Sequence, residues 1–198
     1  MIREIETRRS IRKYKETPVS KAKIEQILRA GILAPSSKNR QPWKFIVTSG
    51  SAKNEVLDQM AQGLEREKRV PLIPESRPYI GGAEHTLQIM REAPVVVFIV
   101  NPLAADIRQA VSADVRVSEI CNAQSVGAAI ENMSLEAEAL GLGSLWICNT
   151  FFAQEELERW LGQKGTLYAA FALGYADEAP EARPRNEFEE VVEWRGDF

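Results

Sequence analysis

Residues 117–140 limit the architecture more than any other stretch of the chain. Val126, Ala129, Ile130, Met133, Ala137 and Leu140 recur there at helical spacing, and a helix apolar along its length belongs at the centre of a fold. It closes at "GLGS" (141–144), where a glycine can take the left-handed cap. Around it the sequence predicts four strands: "KFIVTS" (44–49), "PVVVFIV" (94–100), "SLWIC" (144–148) and "LYAAFALG" (167–174). Ser20 caps a further helix with Ile24, Ile27, Leu28 and Ile32 on one face, stopped by Pro35. Another carries Val56, Leu57, Met60 and Leu64 inward and ends in "EREKR", and "QEELERWL" (154–161) is a short third. Residues 70–83 hold three prolines and two glycines, with Arg77 and Tyr79 among them. They read as a loop or a mobile cover. Strands and helices alternate without repeats, so the expectation is one α+β domain over 1–198, a length ample for a single core.

Several function classes fall away on composition. The longest apolar run, "APVVVFIV" (93–100), is far short of the ~18 residues of a membrane span. No apolar segment follows the basic N-terminus, so no secretory signal is expected and the cytoplasm is the expected compartment. Two cysteines, Cys121 and Cys148, make neither a disulfide framework nor a zinc quartet. His85, the only histidine, cannot anchor a triad or a metal cluster by itself. No metal site is expected. Cys148 falls in a predicted core strand, where cysteine is usually an inert small hydrophobe.

The net charge of −3 conceals an asymmetry. Residues 1–23 carry eight Lys or Arg against three Glu, whereas 177–198 carry eight acids against Arg183, Arg185 and Arg195. A basic arm can serve nucleic acid. This one is short, holds a single aromatic (Tyr14) and belongs to an acidic protein, so a small anion suits it better. In "TRRSIRKY" (7–14) a helix starting near Ile2 or Thr7 would put Arg8 and Arg12 on one face. Like charges so placed repel unless an anion sits between them, and arginine forks match phosphate oxygens. A solvated basic face is the plainer reading of that run alone. In "ARPRNEF" (182–188) an extended, proline-stiffened stretch points Arg183 and Arg185 to one side, where they can meet the same anion or merely neutralise nearby acids.

"GLGSLW" (141–146) invites a dinucleotide reading and fails it. Trp146 stands where the third glycine belongs, and the order is helix–glycines–strand instead of strand–glycines–helix. "APSSKNRQPWKF" (34–45) raises a different question: two prolines bracket Ser36, Ser37, Lys38, Asn39, Arg40 and Gln41, far more polar equipment than a connection needs.

Taken in order, "ETRRSIRKY", "GILAPSSKNRQPWKF", "NMSLEAEALGLGSLWI" and "GYADEAPEARPRNEFEEVVEW" resemble the nitroreductase family of FMN-dependent oxidoreductases over nearly the whole chain. The resemblance implies a central, mostly antiparallel sheet flanked by helices. It also implies a homodimer with two FMN sites at its interface, exchanged C-terminal tails, and residues 175–198 packed on the partner. Arg8, Arg9, Ser10 and Arg12 would then hold the phosphate, ribityl chain and pyrimidine edge of FMN, with Arg183 and Arg185 closing over the phosphate. Pro35, Ser36, Ser37, Asn39 and Gln41 would reach the flavin from the opposite subunit, which accounts for the crowded loop. Trp146, Ile147, Cys148 and Asn149 would lie along the ring, while Trp43 packs in the core. Many relatives have a glycine or an acid where this chain has Cys148 and Asn149, so the surface above the ring differs here.

The implied chemistry needs no catalytic side chain. Hydride passes from NAD(P)H to FMN and on to a nitroaromatic, quinone or related acceptor, by a ping-pong mechanism in one pocket. The absent dinucleotide fingerprint fits that scheme. A specialised reaction such as reductive dehalogenation or enone reduction, or flavin storage without turnover, would use the same cofactor residues. A flavin-free anion- or nucleic-acid-binding module is the remaining alternative; neither nucleic acid nor membrane is expected as a partner.

Overall fold

The computed structural model describes residues 1–71 and 74–197. Four strands form one sheet: β1 (Lys44–Ser49), β2 (Val95–Asn101), β3 (Gly143–Ile147) and β4 (Thr166–Gly174), in the order β1-β2-β4-β3 with every neighbour antiparallel. β2 is buried along its whole length, as its unbroken β-branched run requires. Its alternation divides the core. Val96, Phe98 and Val100 face one side of the sheet, and Val95, Val97 and Ile99 face the other.

Helices cover both faces. α2 (Lys21–Ile32) and α5 (Ala113–Ala139) pack through Ile27, Val126, Ile130, Met133 and Ala137 on one side. α3 (Gly50–Arg69), α4 (Ile80–Glu92) and α6 (Gln154–Leu161) pack on the other through Leu57, Met60, Leu87, Met90 and Leu157. Short α1 (Arg3–Thr7) and α7 (Phe188–Val191) lie near the two ends of the chain. Ser20 caps α2 as the sequence predicts, its side chain accepting from the Lys23 amide, and Trp43 packs against the α2–α5 core. No helix among the described residues is long and apolar enough to cross a membrane.

Three expectations change. Residues 80–83 are not loop: a 3-10 turn at Pro74–Tyr79 leads directly into α4, whose Ala83, Leu87 and Met90 are buried. Gly81 and Gly82 argue against a helix by about 1 kcal/mol each, and burial of that apolar stripe outweighs them. Leu72 and Ile73, within the same expected loop, lie outside the described residues. Second, α5 begins earlier than predicted and is buried only from Asn122 onward. Its first turns expose Val115, Val117 and Ile120, so the helix is central over its C-terminal part alone. Third, α1 stops at Thr7, and Arg8 is already extended with φ −54° and ψ 133°. Arg8 and Arg12 therefore do not share a helical face; they sit at alternate positions of an extended segment, which brings Ser10 between them.

Candidate functional site

The arginine segment is fixed by what it lies against. Ser10 bridges in parallel to Ser144 at the free edge of β3, and the Ile11 amide donates to the Ser144 carbonyl at 2.9 Å. Gly143 permits this approach. A Cβ there would stand 2.7 Å from Ile11 Cγ1, closer than side chains tolerate. The "GLGS" glycines thus have two uses, since Gly141 at φ 72° closes α5 as expected.

The end of the sheet then runs back past the same segment. Tyr14 bridges Ala176, the Lys15 amide donates to the Tyr175 carbonyl at 2.9 Å, and the Asp177 amide donates to the Lys13 carbonyl at 2.9 Å. The Glu178 carboxylate accepts from the amides of Arg12 and Lys13. Tyr14 is buried and donates to the Ile11 carbonyl at 2.8 Å. Burial raises its pKa well above the ordinary phenol value, so it stays neutral.

This zipper delivers Arg183 and Arg185 to the N-terminal arginines. A cavity of about 100 Å³ is lined by Arg8, Arg9, Ser10, Arg12, Pro180, Glu181, Ala182, Arg183 and Arg185. Five guanidinium groups converge there with one acid in the lining. Several turn to main-chain oxygens: Arg9 Nη1 donates to the Glu6 and Arg8 carbonyls, Arg12 Nη1 to Ser10, and Arg185 Nη1 to Arg183 and Pro184. Arg8 Nε is buried and has no hydrogen-bond partner, with Glu131 Oε1 standing 3.5 Å away. Like charges gathered in this way suit an anionic ligand.

Arg12 also lines a second cavity, of about 280 Å³, together with His85, Thr86, Ile89 and residues 145–149. The arginine-lined cavity therefore adjoins the end of β3. Trp146 is 41% exposed while Leu145 and Ile147 on either side are buried, and Gly127 of α5 leaves room for its ring. Asn149 Nδ2 donates to Thr86 Oγ1 at 3.1 Å, and Thr86 Oγ1 donates to the Gly82 carbonyl. Cys148 corrects an expectation. β3 ends at Ile147, and Cys148 caps the following 3-10 turn (Asn149–Ala153) with an exposed side chain, so it is not an inert core residue. Partial desolvation pushes its thiol pKa up, which disfavours the nucleophilic thiolate.

The polar loop stands apart from both cavities. None of Pro35, Ser36, Ser37, Asn39 or Gln41 lines either of them. The Ser37 amide donates to Ser125 Oγ on α5, and the Gln41 amide to Ser36 Oγ. Lys38, Asn39 and Gln41 hold φ of 53°, 53° and 49°. Left-handed backbone at non-glycine residues costs roughly 1–3 kcal/mol each and persists where the surroundings over-determine it, often at ligand clamps.

Sequence reasoning missed His85 and Thr86. With 80–83 read as a loop, nothing in the pattern put α4 beside the end of β3. No cluster of three or more His, Cys, Asp or Glu among the described residues could hold a metal.

This α+β sandwich, with an arginine-lined cavity beside the end of the edge strand β3, belongs to the nitroreductase family, whose profile matches residues 5–175. A protein of Archaeoglobus fulgidus provisionally named NADH dehydrogenase/NAD(P)H nitroreductase is 31% identical over 183 residues, covering 88% of this chain and 84% of that one. An FMN-dependent nitroreductase from Clostridium difficile superposes with a TM-score of 0.70 at 26% identity, covering 99% of both chains. A provisionally assigned nitroreductase of Desulfovibrio desulfuricans, solved in complex with FMN, superposes with a TM-score of 0.71 at 27% identity, covering 98% of this chain and 96% of that one.

Proposed function

We propose that the chain is an FMN-dependent oxidoreductase that uses NAD(P)H to reduce nitroaromatic, quinone or related electrophilic acceptors. The observation that carries this reading is the convergence of five arginines from both ends of the chain on one small cavity. That donor set fits a phosphate monoester. FMN, when bound, accepts hydride from NAD(P)H and gives up electrons to the acceptor.

The protein's part is placement and charge. Arg8, Arg9, Ser10 and Arg12 with Arg183 and Arg185 would hold the phosphate end. Arg12 borders both cavities, and a cation at that junction favours whichever redox state of a bound ring carries more negative charge. Trp146, Ile147, Cys148 and Asn149 would run along the ring, with Thr86 orienting the Asn149 amide.

The chain would act as one domain in a homodimer. Pro35, Ser36, Ser37, Asn39 and Gln41 would complete the neighbouring subunit's site, which accounts for a strained loop remote from the cavities of its own chain. Residues 175–178 bond to the chain's own N-terminal segment, so the exchanged portion would be the stretch beyond Arg185. Phe188, Val191 and Trp194 are 56%, 62% and 65% exposed there.

NAD(P)H and the acceptor would use the same open cavity in turn. Initial rates at several fixed acceptor concentrations should give parallel double-reciprocal lines, the mark of ping-pong turnover. Lines that intersect would contradict a shared pocket. A flavin bound to the protein but never bleached by NAD(P)H would leave only the storage role.

A further inference from the structure

A nitroaromatic reduced to its nitroso compound consumes one hydride and one proton. One N–O bond breaks, the freed oxygen leaves as water, and NAD(P)⁺ is the other product. NAD(P)H accounts for the hydride. The proton must come from solvent or from a group beside the acceptor.

The cavity at the end of β3, to which the reading above brings NAD(P)H and the acceptor in turn, holds few candidates. Its lining is Arg12, His85, Thr86, Ile89 and residues 145–149. The Arg12 guanidinium does not give up a proton in a protein, and neither do the Trp146 indole and the Asn149 amide. The Thr86 hydroxyl donates to the Gly82 carbonyl at 2.9 Å. Burial pushes the Cys148 thiol pKa up, which makes it a poorer proton donor. That leaves His85, the only histidine of the chain. Imidazole is the one side chain whose ordinary charge change falls between about pH 5 and 8.

α4 aims the ring at the cavity. His85 and Ile89 are four residues apart, so they share a helix face, and both line it. One residue on, Thr86 Oγ1 accepts from Asn149 Nδ2 at 3.1 Å, which ties this turn of α4 to the turn after β3. His85 is exposed, so a substrate can touch the imidazole and solvent can return a proton to it. The titratable and charged groups on the elements around it are Arg12 and Cys148 across the cavity, Glu84 of α4 paired with Lys68 of α3 at 2.6 Å, and Glu75 and Arg77 in the 3-10 turn before α4.

We propose that His85 is the general acid for reduction of the acceptor: its imidazolium gives a proton to the departing nitro oxygen and is recharged from solvent. The proposal rests on the oxidoreductase reading above and adds a side chain to chemistry otherwise left to cofactor and solvent.

The test compares para-dinitrobenzene, which needs the proton, with ferricyanide, which takes electrons alone. Flavin-loaded protein is bleached by NAD(P)H and mixed anaerobically with each acceptor, and the return of the yellow colour is timed. His85→Ala and His85→Gln should each slow reoxidation by para-dinitrobenzene about 100-fold, the lower end of what a positioned acid contributes, and leave reoxidation by ferricyanide within about 2-fold of the parent. Glutamine keeps a hydrogen-bond donor but no transferable proton, so it separates an acid from a positioning group. In the parent, the single imidazole gives one Hε1 proton resonance, which para-dinitrobenzene should shift in the oxidised protein, where no turnover occurs. Unchanged reoxidation by para-dinitrobenzene in His85→Ala overturns the proposal, as does rescue by His85→Gln or an Hε1 resonance that the acceptor leaves in place. Ferricyanide slowed as much as para-dinitrobenzene would tie His85 to electron transfer instead of the proton, and overturns it too. These failures leave the oxidoreductase reading standing. If NAD(P)H never bleaches the flavin, that reading falls and takes the proposal with it.

Discussion

Arg8→Ala combined with Arg183→Ala should yield a folded protein that no longer retains FMN. Both side chains line the arginine-rich cavity, one from each end of the chain. Each charge-assisted hydrogen bond to a phosphate oxygen is worth about 1.5–3 kcal/mol, so losing one from each arginine weakens FMN binding by roughly 10²–10⁴-fold. The apo protein should hardly notice. Arg8 contributes one long ion pair to Glu131, at 3.5 Å between part-exposed side chains, worth at most about 1 kcal/mol. Removing two of five converging cations also relieves repulsion when no anion is present. Fluorescence titration with FMN measures the first effect, and a thermal melt of the apo protein the second. Retained affinity within a few-fold of the parent would mean the phosphate is held elsewhere. A variant that unfolds would mean the arginines serve the fold.

The second large effect is on stability. Arg66 of α3 is the hub of a charged cluster beneath the turn that follows β3. Its Nε and Nη2 donate to the two oxygens of Glu156 at 2.9 and 3.2 Å, Nη1 to Glu67 Oε2 at 2.7 Å, and Nη2 also to the Phe152 carbonyl at 3.3 Å. The Glu67 and Glu156 side chains are 1% and 10% exposed, that of Arg66 29%. Arg66→Met takes the guanidinium away from the Glu156 carboxylate, which is held against the core. Breaking a buried ion pair costs 3–5 kcal/mol, and the partial exposure of Arg66 puts this one near about 3 kcal/mol. For a chain of this length that lowers Tm by roughly 6–12 °C.

The cost should depend on pH with a definite sign. Burial, the largest single influence, pushes the Glu156 carboxyl up, yet the Arg66 hydrogen bonds, a backbone hydrogen bond and the charges of Arg66 and Arg159 together outweigh it and hold its pKa below the ordinary glutamate value. In the parent, that group's stabilisation is present above about pH 4.3 and is lost as pH falls through its folded-state value. In Arg66→Met burial is opposed only by the backbone hydrogen bond and the more distant Arg159 charge, so Glu156 protonates more readily than in the parent. The stability gap between variant and parent should then narrow as pH drops from 7 toward 4. A gap that is constant across that range would remove Glu156 from the explanation. Because the guanidinium also holds the Phe152 carbonyl, the variant should loosen the Asn149–Ala153 turn beside the proposed flavin.

The strands and most helices could be read from the sequence because their apolar periods match what the core demands. β2 is buried on both faces as its unbroken run predicted, and α6 spans the predicted residues. The misreadings have local causes. Gly81 and Gly82 hid α4, and with it the placement of His85 and Thr86. A four-residue arginine spacing suggested a helix, whereas the segment is extended because Ser144 offers it a strand edge and Gly143 has no side chain to block it. The meeting of Arg12 with Arg183 and Arg185 was anticipated as chemistry, but the zipper of residues 13–15 with 175–177 that brings it about carries no periodic signal. Three left-handed residues in the 34–45 loop were equally invisible, since none is glycine.

The central claim is that both ends of the chain build a phosphate cradle for FMN, and the absorption spectrum of the purified protein tests it most directly, with mass spectrometry of whatever denaturation releases. A yellow protein yielding FMN at roughly one per chain is the predicted result. A colourless protein that also fails to take up added FMN would contradict the account and leave the five arginines to some other anion.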